Sequence, residues 1–165
     1  MIDISQRFFH YLPDADIQEW SLPPGRSLRG QSYGGSCVAA CVRMLLDDFG
    51  LNVPEAYIRN AVGVDALTGG FISKVPEGLE ELGFPRDALY EPALTLPSLR
   101  WHAGKSAVIV SVSLAGYGTH ALVVDSFAGE YVNLRDPLPV AIGSTYGVHQ
   151  DDFTKAWGGK AVVIP

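Results

Sequence analysis

Cysteine is scarce in this sequence, and its scarcity excludes two classes of small protein. The 165 residues contain only two thiols, Cys37 and Cys41, and four scattered histidines. If they lie on a helix, the two thiols share a face, but their directions rarely suit a disulfide. Two thiols and isolated histidines also lack the spacing of a typical zinc site. The sequence therefore predicts no disulfide scaffold, no metal site and no cofactor.

Long apolar runs and clusters of positive charge are also missing. No run approaches the ~20 apolar residues of a membrane-spanning helix, and the N-terminal segment MIDISQRFFH lacks the basic and apolar regions of a secretory signal. Twelve Lys and Arg against eighteen Asp and Glu give a net charge of −6, without a basic cluster that could follow a nucleic-acid backbone. We expect a soluble, cytoplasmic protein that binds no nucleic acid. Export without a cleavable signal peptide is compatible with this N-terminus.

Length and composition favour a single domain over residues 1–165. The chain is 47% hydrophobic, which is enough for one real core, but it is too short for two ordinary domains. Apolar periodicity, prolines and β-branched runs divide the chain into a helical first part and a strand-rich second part. The predicted elements are an edge strand over 7–12, helices over 38–49, 54–62, 71–82, 96–103 and 151–157, strands over 107–114, 119–127 and 130–136, and a last strand after a glycine turn at 158–159.

A glycine-rich turn that leads into an apolar helix contains the best candidate for a catalytic residue. In the stretch QSYGGSCVAACVRMLLDDFG, apolar residues recur at three- and four-residue steps, which predicts a buried helix. Ser36 is a suitable N-cap, so Cys37 should lie in the first turn, where the helix start favours the nucleophilic thiolate. Gln31, on the loop before the turn, is a candidate to donate to an oxyanion, with the Cys37 backbone N–H as a second donor.

A predicted β-hairpin supplies candidate partners for the thiol. If a three-residue loop, 127–129, joins its strands, His120 falls opposite Asp136 on one face. The imidazole would then take the thiol proton, and the carboxylate would hold the imidazole. A two-residue loop would instead move Asp136 to the other face. Asp125, the competing acid, is expected to point away from His120.

Each of these residues has a more ordinary explanation when it is considered alone. A cysteine at a helix start is more often a small buried hydrophobe than a catalyst. A histidine at a strand start is more often merely exposed, and an aspartate before proline more often forms a turn. His149, the competing base, is expected at the surface. The order Gln31, Cys37, His120, Asp136 nevertheless favours a thiol catalyst.

Two segments resemble a known family. The pattern Gln-x3-Gly-Ser-Cys-x-Ala, which resembles the active-site segment of papain-like cysteine proteases, comprises Gln31, Gly35, Ser36, Cys37 and Ala39. Its continuation through Met44 and Phe49, and the later pattern HALVV…NLRDP, resemble the bacterial branch that processes bacteriocins by cutting after a double-glycine leader. In that branch the third catalytic residue is Asp. This sequence departs from the branch at Ser36, where an acidic residue is usual, and at Val38, where Gly is usual.

The resemblance implies a papain-like α+β fold, in which a helical half led by the Cys37 helix packs on an antiparallel sheet that carries His120 and Asp136. It implies peptide hydrolysis through a thioester, a leader peptide ending in Gly-Gly as substrate, and association with a transporter or secretion system. If Val38 and Tyr33 both face the cleft, their side chains would make the pocket for the residue before the cut narrow. Two alternatives stay open: acyl transfer such as glutamine deamidation or cross-linking by a toxin or effector, and a catalytically silent domain that binds a peptide.

Overall fold

The computed structural model describes residues 6–33, 35–64 and 70–165, which form a seven-stranded antiparallel sheet with helices. Among these residues the helices are α1 (Cys37–Asp48), α2 (Glu55–Val62), α3 (Val75–Glu81), α4 (Leu96–Ala103) and α5 (Gln150–Ala156), and the strands are β1 (Ile17–Gln18), β2 (Leu89–Glu91), β3 (Val108–Leu114), β4 (Gly118–Ala128), β5 (Tyr131–Asp136), β6 (Ser144–His149) and β7 (Trp157–Val163). The strand order is β1-β6-β5-β4-β3-β7-β2. The predicted α+β class is confirmed. None of the described helices has the length and apolar composition to cross a bilayer.

Two hydrophobic cores lie on opposite faces of the sheet. Side chains alternate between faces along β3, so Val108, Val110 and Val112 belong to one core while Ile109 belongs to the other. Helices α1, α2 and α3 cover the face of Ile109. Helices α4 and α5 cover the other face together with a short 3₁₀ turn at the N-terminus. The ends of β3, β4 and β5 are therefore held between two packed layers.

The predicted edge strand over 7–12 is wrong, because these residues form a 3₁₀ turn, Phe8–Tyr11. Phe8 and Phe9 are both fully buried in the core. A strand would send adjacent side chains to opposite faces and leave one of the two rings in solvent if it lay at an open edge. A tight turn lets both rings pack inward, with an edge-to-face contact at 5.2 Å between their centroids.

Most predicted helices are confirmed, with shifted ends. Helix α4 has the predicted bounds, and its N-cap Thr95 accepts a hydrogen bond from the Ser98 backbone. The helix predicted over 71–82 divides into a 3₁₀ turn, Ile72–Lys74, and α3, whose first turn contains Pro76. The predicted glycine turn at 158–159 is wrong, because both glycines lie inside β7. A Cβ at Gly159 would lie 2.9 Å from the backbone of the loop before α4, so close packing explains that glycine.

The hairpin of β4 and β5 differs from the predicted one in two ways that compensate. Ala128 pairs with Tyr131, so the turn has two residues rather than three, and Gly129 opens it with the positive φ of a II′ turn. The register then shifts between Val124 and Ser126, because Asp125 is an extra, bulged residue in β4. The predicted register is therefore wrong, but the bulge brings Asp136 back into phase with His120.

Candidate active site

Cys37 is the first residue of α1 and is partly exposed at the surface of the helical half. Ser36 occupies the N-cap position as predicted, but its side chain does not cap the helix. Its hydroxyl instead accepts a hydrogen bond from the Tyr33 backbone N–H at 3.1 Å and donates one to the Tyr33 carbonyl at 3.0 Å. Ser36 therefore stabilises the turn rather than the helix start. The Cys37 sulfur accepts hydrogen bonds from the backbone N–H groups of Val38 and Ala121.

The structure brings Cys37, His120 and Asp136 into one hydrogen-bonded chain. The Nε2 atom of His120 lies 2.8 Å from Oδ1 of Asp136, and both side chains are buried, with 2% and 0% of their surface exposed. The side chain of Cys37 hydrogen-bonds to the same imidazole. Since Nε2 is occupied by Asp136, the other ring nitrogen, Nδ1, is the one available to the thiol.

This chain favours a thiolate beside an imidazolium. Burial opposes ionisation of the thiol, but the hydrogen bond and charge of His120 outweigh it and lower the pKa of Cys37. Burial likewise favours the neutral imidazole, yet the charge and hydrogen bond of Asp136, followed by those of Cys37, raise the pKa of His120 to about 9. Cys41 behaves oppositely, because burial and the nearby Cys37 and Asp136 charges raise its pKa well above the usual range.

Four groups of the described residues hydrogen-bond to the Asp136 carboxylate, and the sequence predicted only His120 among them. Oδ1 also accepts from the Leu138 N–H at 2.9 Å. Oδ2 accepts from the Phe8 N–H at 2.9 Å and from the Tyr146 hydroxyl at 2.7 Å. No sequence signal marks Phe8 or Tyr146, because one contributes a backbone group and the other is an ordinary strand tyrosine.

Gln31 is fully buried and joins the loop before α1 to the segment that follows Asp136. Its backbone N–H donates to the Pro137 carbonyl at 3.0 Å, and its carbonyl accepts from the Ala141 N–H at 2.8 Å. Its side-chain Nε2 donates to the Tyr33 carbonyl at 2.8 Å. The amide therefore lies within the loop that delivers the cysteine, with one of its two N–H groups on Tyr33.

The two residues expected to narrow the cleft lie in different environments. Val38 is 2% exposed and packs within the helical core, where a Cβ placed on Gly70 would lie 3.6 Å from it. The expectation that Val38 faces the cleft is therefore wrong. Tyr33 is half-buried, and the Arg59 guanidinium lies 5.5 Å from its ring centroid.

The competing acid and base lie elsewhere. Asp125 is buried and forms ion pairs with Arg26 and with Arg135, whose Nε lies 3.1 Å from Oδ1 without the angle of a hydrogen bond. Arg135 also holds Asp48, at the last turn of α1, through two bonds of 3.0 and 2.6 Å. His149 is near the surface, 3.3 Å from Glu130. Within the described residues, no cluster of His, Cys, Asp and Glu could hold a metal ion.

A helix that presents a thiol to a buried imidazole and carboxylate on an antiparallel sheet is the arrangement of a papain-like protein. The family model described as the Peptidase C39 family matches residues 27–165, so the chain belongs to that family. The resemblance predicted from the sequence is confirmed. No curated protein matches the sequence.

Solved structures with this fold include peptidase domains of transporters. The peptidase domain of Streptococcus ComA, a bifunctional ABC transporter of a quorum-sensing pathway, is 20% identical with a TM-score of 0.70, over 86% of this chain and 98% of that one. A double-glycine motif protease from an AMS/PCAT transporter, in complex with its leader peptide, is 20% identical with a TM-score of 0.67, over 86% and 94%. The Streptococcus mutans ComA peptidase domain is 18% identical with a TM-score of 0.61, over 84% and 98%.

The two thiols should differ sharply in reactivity. At mildly acidic pH and a limiting dose, we expect iodoacetamide to alkylate Cys37 first, because its lowered pKa supplies thiolate there and its side chain is partly exposed. Cys41 is fully buried with a raised pKa and should react only on unfolding. Peptide mapping by mass spectrometry checks the order, and equal or preferential labelling of Cys41 would contradict the assignment.

Proposed function

We propose that this protein is a cysteine peptidase that hydrolyses a peptide bond through a thioester, with Cys37 as nucleophile, His120 as general base and acid, and Asp136 as the residue that orients His120. One observation carries the proposal. The thiol, the imidazole and the carboxylate form a continuous hydrogen-bonded chain in which the pKa of Cys37 is lowered and the pKa of His120 is raised to about 9. Thiolate and imidazolium are the forms that the first step needs.

In the first half of the reaction, the Cys37 thiolate attacks the carbonyl carbon and forms a tetrahedral intermediate. The oxyanion accepts from the Cys37 backbone N–H and from the Gln31 amide. When the intermediate collapses, the C–N bond breaks and His120 gives its proton to the leaving amine, so that a thioester remains. In the second half, neutral His120 takes a proton from water, the resulting hydroxide attacks the thioester, and the thiolate leaves.

The role given to Gln31 is supported by the fixed position of this residue. Its side-chain amide lies on the loop that delivers Cys37, where Nε2 donates to the Tyr33 carbonyl at 2.8 Å. The amide is buried and its backbone is tied to Pro137 and Ala141, so it is held in place before substrate binds. A donor fixed in advance stabilises developing charge without a reorganisation cost.

For the substrate, we propose a peptide or protein cut after Gly-Gly, delivered by a transporter or secretion system. The support is membership of the family and the likeness in fold to a double-glycine motif protease bound to its leader peptide. Tyr33, on the loop between Gln31 and Cys37, is the candidate wall of a narrow pocket for the residue before the cut. A narrow pocket would admit glycine and exclude a large side chain.

Matched peptides test both the reaction and the substrate. Two peptides are incubated with the protein, one with Gly-Gly before the expected cut and the other with Gly-Phe at the same place. The products are identified by mass spectrometry. We expect new termini after Gly-Gly and none after Gly-Phe. The Phe side chain would clash with the wall of a narrow pocket, and this clash should cost more than the ~1–3 kcal/mol that one methylene is worth. A gain of ~1 Da in a glutamine peptide would instead indicate deamidation. Binding without any product would favour the silent peptide-binding alternative.

A further inference from the structure

Part of the candidate site comes from a segment that precedes the family-matched region. That region begins at residue 27, whereas the 3₁₀ turn Phe8–Tyr11 lies before it. The Phe8 N–H donates to Oδ2 of Asp136 at 2.9 Å. The Phe8 ring also stacks on the His120 imidazole, with 5.3 Å between ring centroids and 17° between the planes. One residue of the turn therefore contacts both members of the acid–base pair.

Tyr146 connects the same turn to the same carboxylate. Its hydroxyl donates to Oδ2 of Asp136 at 2.7 Å and accepts from the Phe9 N–H at 3.5 Å. Tyr146 and Phe9 are fully buried, so these bonds are shielded from competing water. Burial, the Asp136 charge and the bond to Asp136 raise the pKa of Tyr146 well above its usual range, which keeps the hydroxyl a donor.

These contacts restrict the rotation of the Asp136 carboxylate and that of the His120 ring, on which the acid–base pair depends. With donors on both oxygens, the carboxylate of Asp136 cannot turn about its Cβ–Cγ bond without breaking a buried hydrogen bond. The imidazole of His120 is covered by Phe8 on one face and met by the Tyr117 ring at 5.9 Å and 70°. The same neighbourhood includes Arg7, whose guanidinium lies 4.9 Å from the Tyr146 ring centroid.

We propose that the turn Phe8–Tyr11 and Tyr146 act as one positioning unit, which holds Asp136 and His120 in line with the Cys37 sulfur. The proposal rests on the proposed function for its link to turnover, but not for its link to thiol ionisation. Neither Phe8 nor Tyr146 is a catalytic residue, because both act through Asp136 and His120. Loss of the unit should impair the chemical step and leave substrate binding unchanged.

The decisive variant is Tyr146→Phe, which keeps the ring and removes one hydroxyl. Its matched control is Tyr131→Phe, since the Tyr131 hydroxyl also donates to an aspartate Oδ2 at 2.7 Å, that of Asp16, but in an exposed hydrogen bond. For Tyr146→Phe we expect kcat to fall about 10- to 100-fold with KM unchanged, because a small misplacement of a catalytic group reduces the rate by about this factor. Tyr131→Phe should match the parent protein.

Alkylation of Cys37 supplies a readout that needs no substrate. With the Tyr146 hydroxyl gone, the Phe8 N–H is the remaining bond described on Oδ2, so the carboxylate is held less firmly in the orientation that stabilises the imidazolium. Cys37 then loses part of the interaction that favours its thiolate. The midpoint of the alkylation rate against pH should therefore move to higher pH in Tyr146→Phe and stay in place in Tyr131→Phe. An unchanged midpoint overturns the proposal. If no peptide is cleaved even by the parent protein, the proposed function fails and the midpoint still decides this inference.

A second variant tests whether the two parts act as a unit. Phe8→Leu keeps the backbone N–H and most of the buried volume but removes the aromatic face that stacks on His120. Alone it should move the alkylation midpoint in the same direction as Tyr146→Phe. In the double variant the two shifts should be clearly less than additive, since both act on one Asp136–His120 pair. Full additivity would overturn the idea of one unit. Thermal unfolding of each variant verifies that it is folded at the assay temperature.

Discussion

Turnover should fall by about four orders of magnitude or more in the Cys37→Ala variant, the largest effect expected in this protein. Without the sulfur no thioester forms, and the remaining groups can only hold the substrate. The folded state should change little, because the side chain is partly exposed and alanine suits a first helical turn. Single-turnover cleavage of a Gly-Gly peptide and thermal unfolding together measure both quantities.

Cys41 provides the matched control for that variant. It lies on the same helix and is fully buried, so Cys41→Ser should retain turnover while costing roughly 1–3 kcal/mol of the free energy of unfolding. If Cys41 were the nucleophile, Cys41→Ser would abolish turnover and Cys37→Ala would retain it. Undiminished turnover in Cys37→Ala would mean that the nucleophile is another residue.

The second large effect concerns Asp136→Ala, which should reduce both activity and stability. His120 loses the group that orients it, which costs about 10⁴-fold in comparable triads. The N–H groups of Phe8 and Leu138 and the Tyr146 hydroxyl also lose their acceptor, and each buried donor left unpaired costs about 1–3 kcal/mol. Asp136→Asn should retain more of both quantities, because its amide oxygen still accepts from His120. Kinetics per folded molecule and urea unfolding separate the two losses.

Asp125 is the acid against which this result should be compared. Like Asp136 it is buried on the hairpin, but its partners are Arg26 and Arg135 rather than an imidazole. Asp125→Ala should lower stability by less than the ~3–5 kcal/mol of an uncompensated buried charge, because Arg135 keeps its two bonds to Asp48. The folded fraction should keep its turnover. Should Asp125→Ala abolish turnover and Asp136→Ala preserve it, the acid assigned to His120 would be the wrong one.

Local patterns predicted the elements whose stability has a local origin. The apolar period after Cys37, Pro54 before α2 and Pro97 in the first turn of α4 mark helices, because burial of one face and a fixed φ act within a few residues. The strands of the hairpin were predictable for the same reason. Its register was not, because the bulge at Asp125 accompanies ion pairs to Arg26 and Arg135 that no spacing in the sequence reveals.

The N-terminal turn was not predictable from its own residues. A single 3₁₀ turn has little intrinsic stability, and this one depends on burial of Phe8 and Phe9 and on an acceptor far along the chain. The residues of the candidate site likewise divide into those that the sequence marks and those that only the fold brings to the site. Cys37, His120 and Asp136 could be selected because their side chains suggest chemistry, whereas Tyr146 looks like any strand tyrosine until the fold sets it beside Asp136.

The hydrogen bond between Phe8 and Asp136 joins residues 128 positions apart, and it therefore bears on the order of events during synthesis. A growing chain contains its thiol early, but its imidazole and carboxylate can be fixed only after β6 has left the ribosome. We expect an unfinished chain to carry an ordinary, weakly reactive cysteine. Reactivity at Cys37 should therefore appear only when folding is complete.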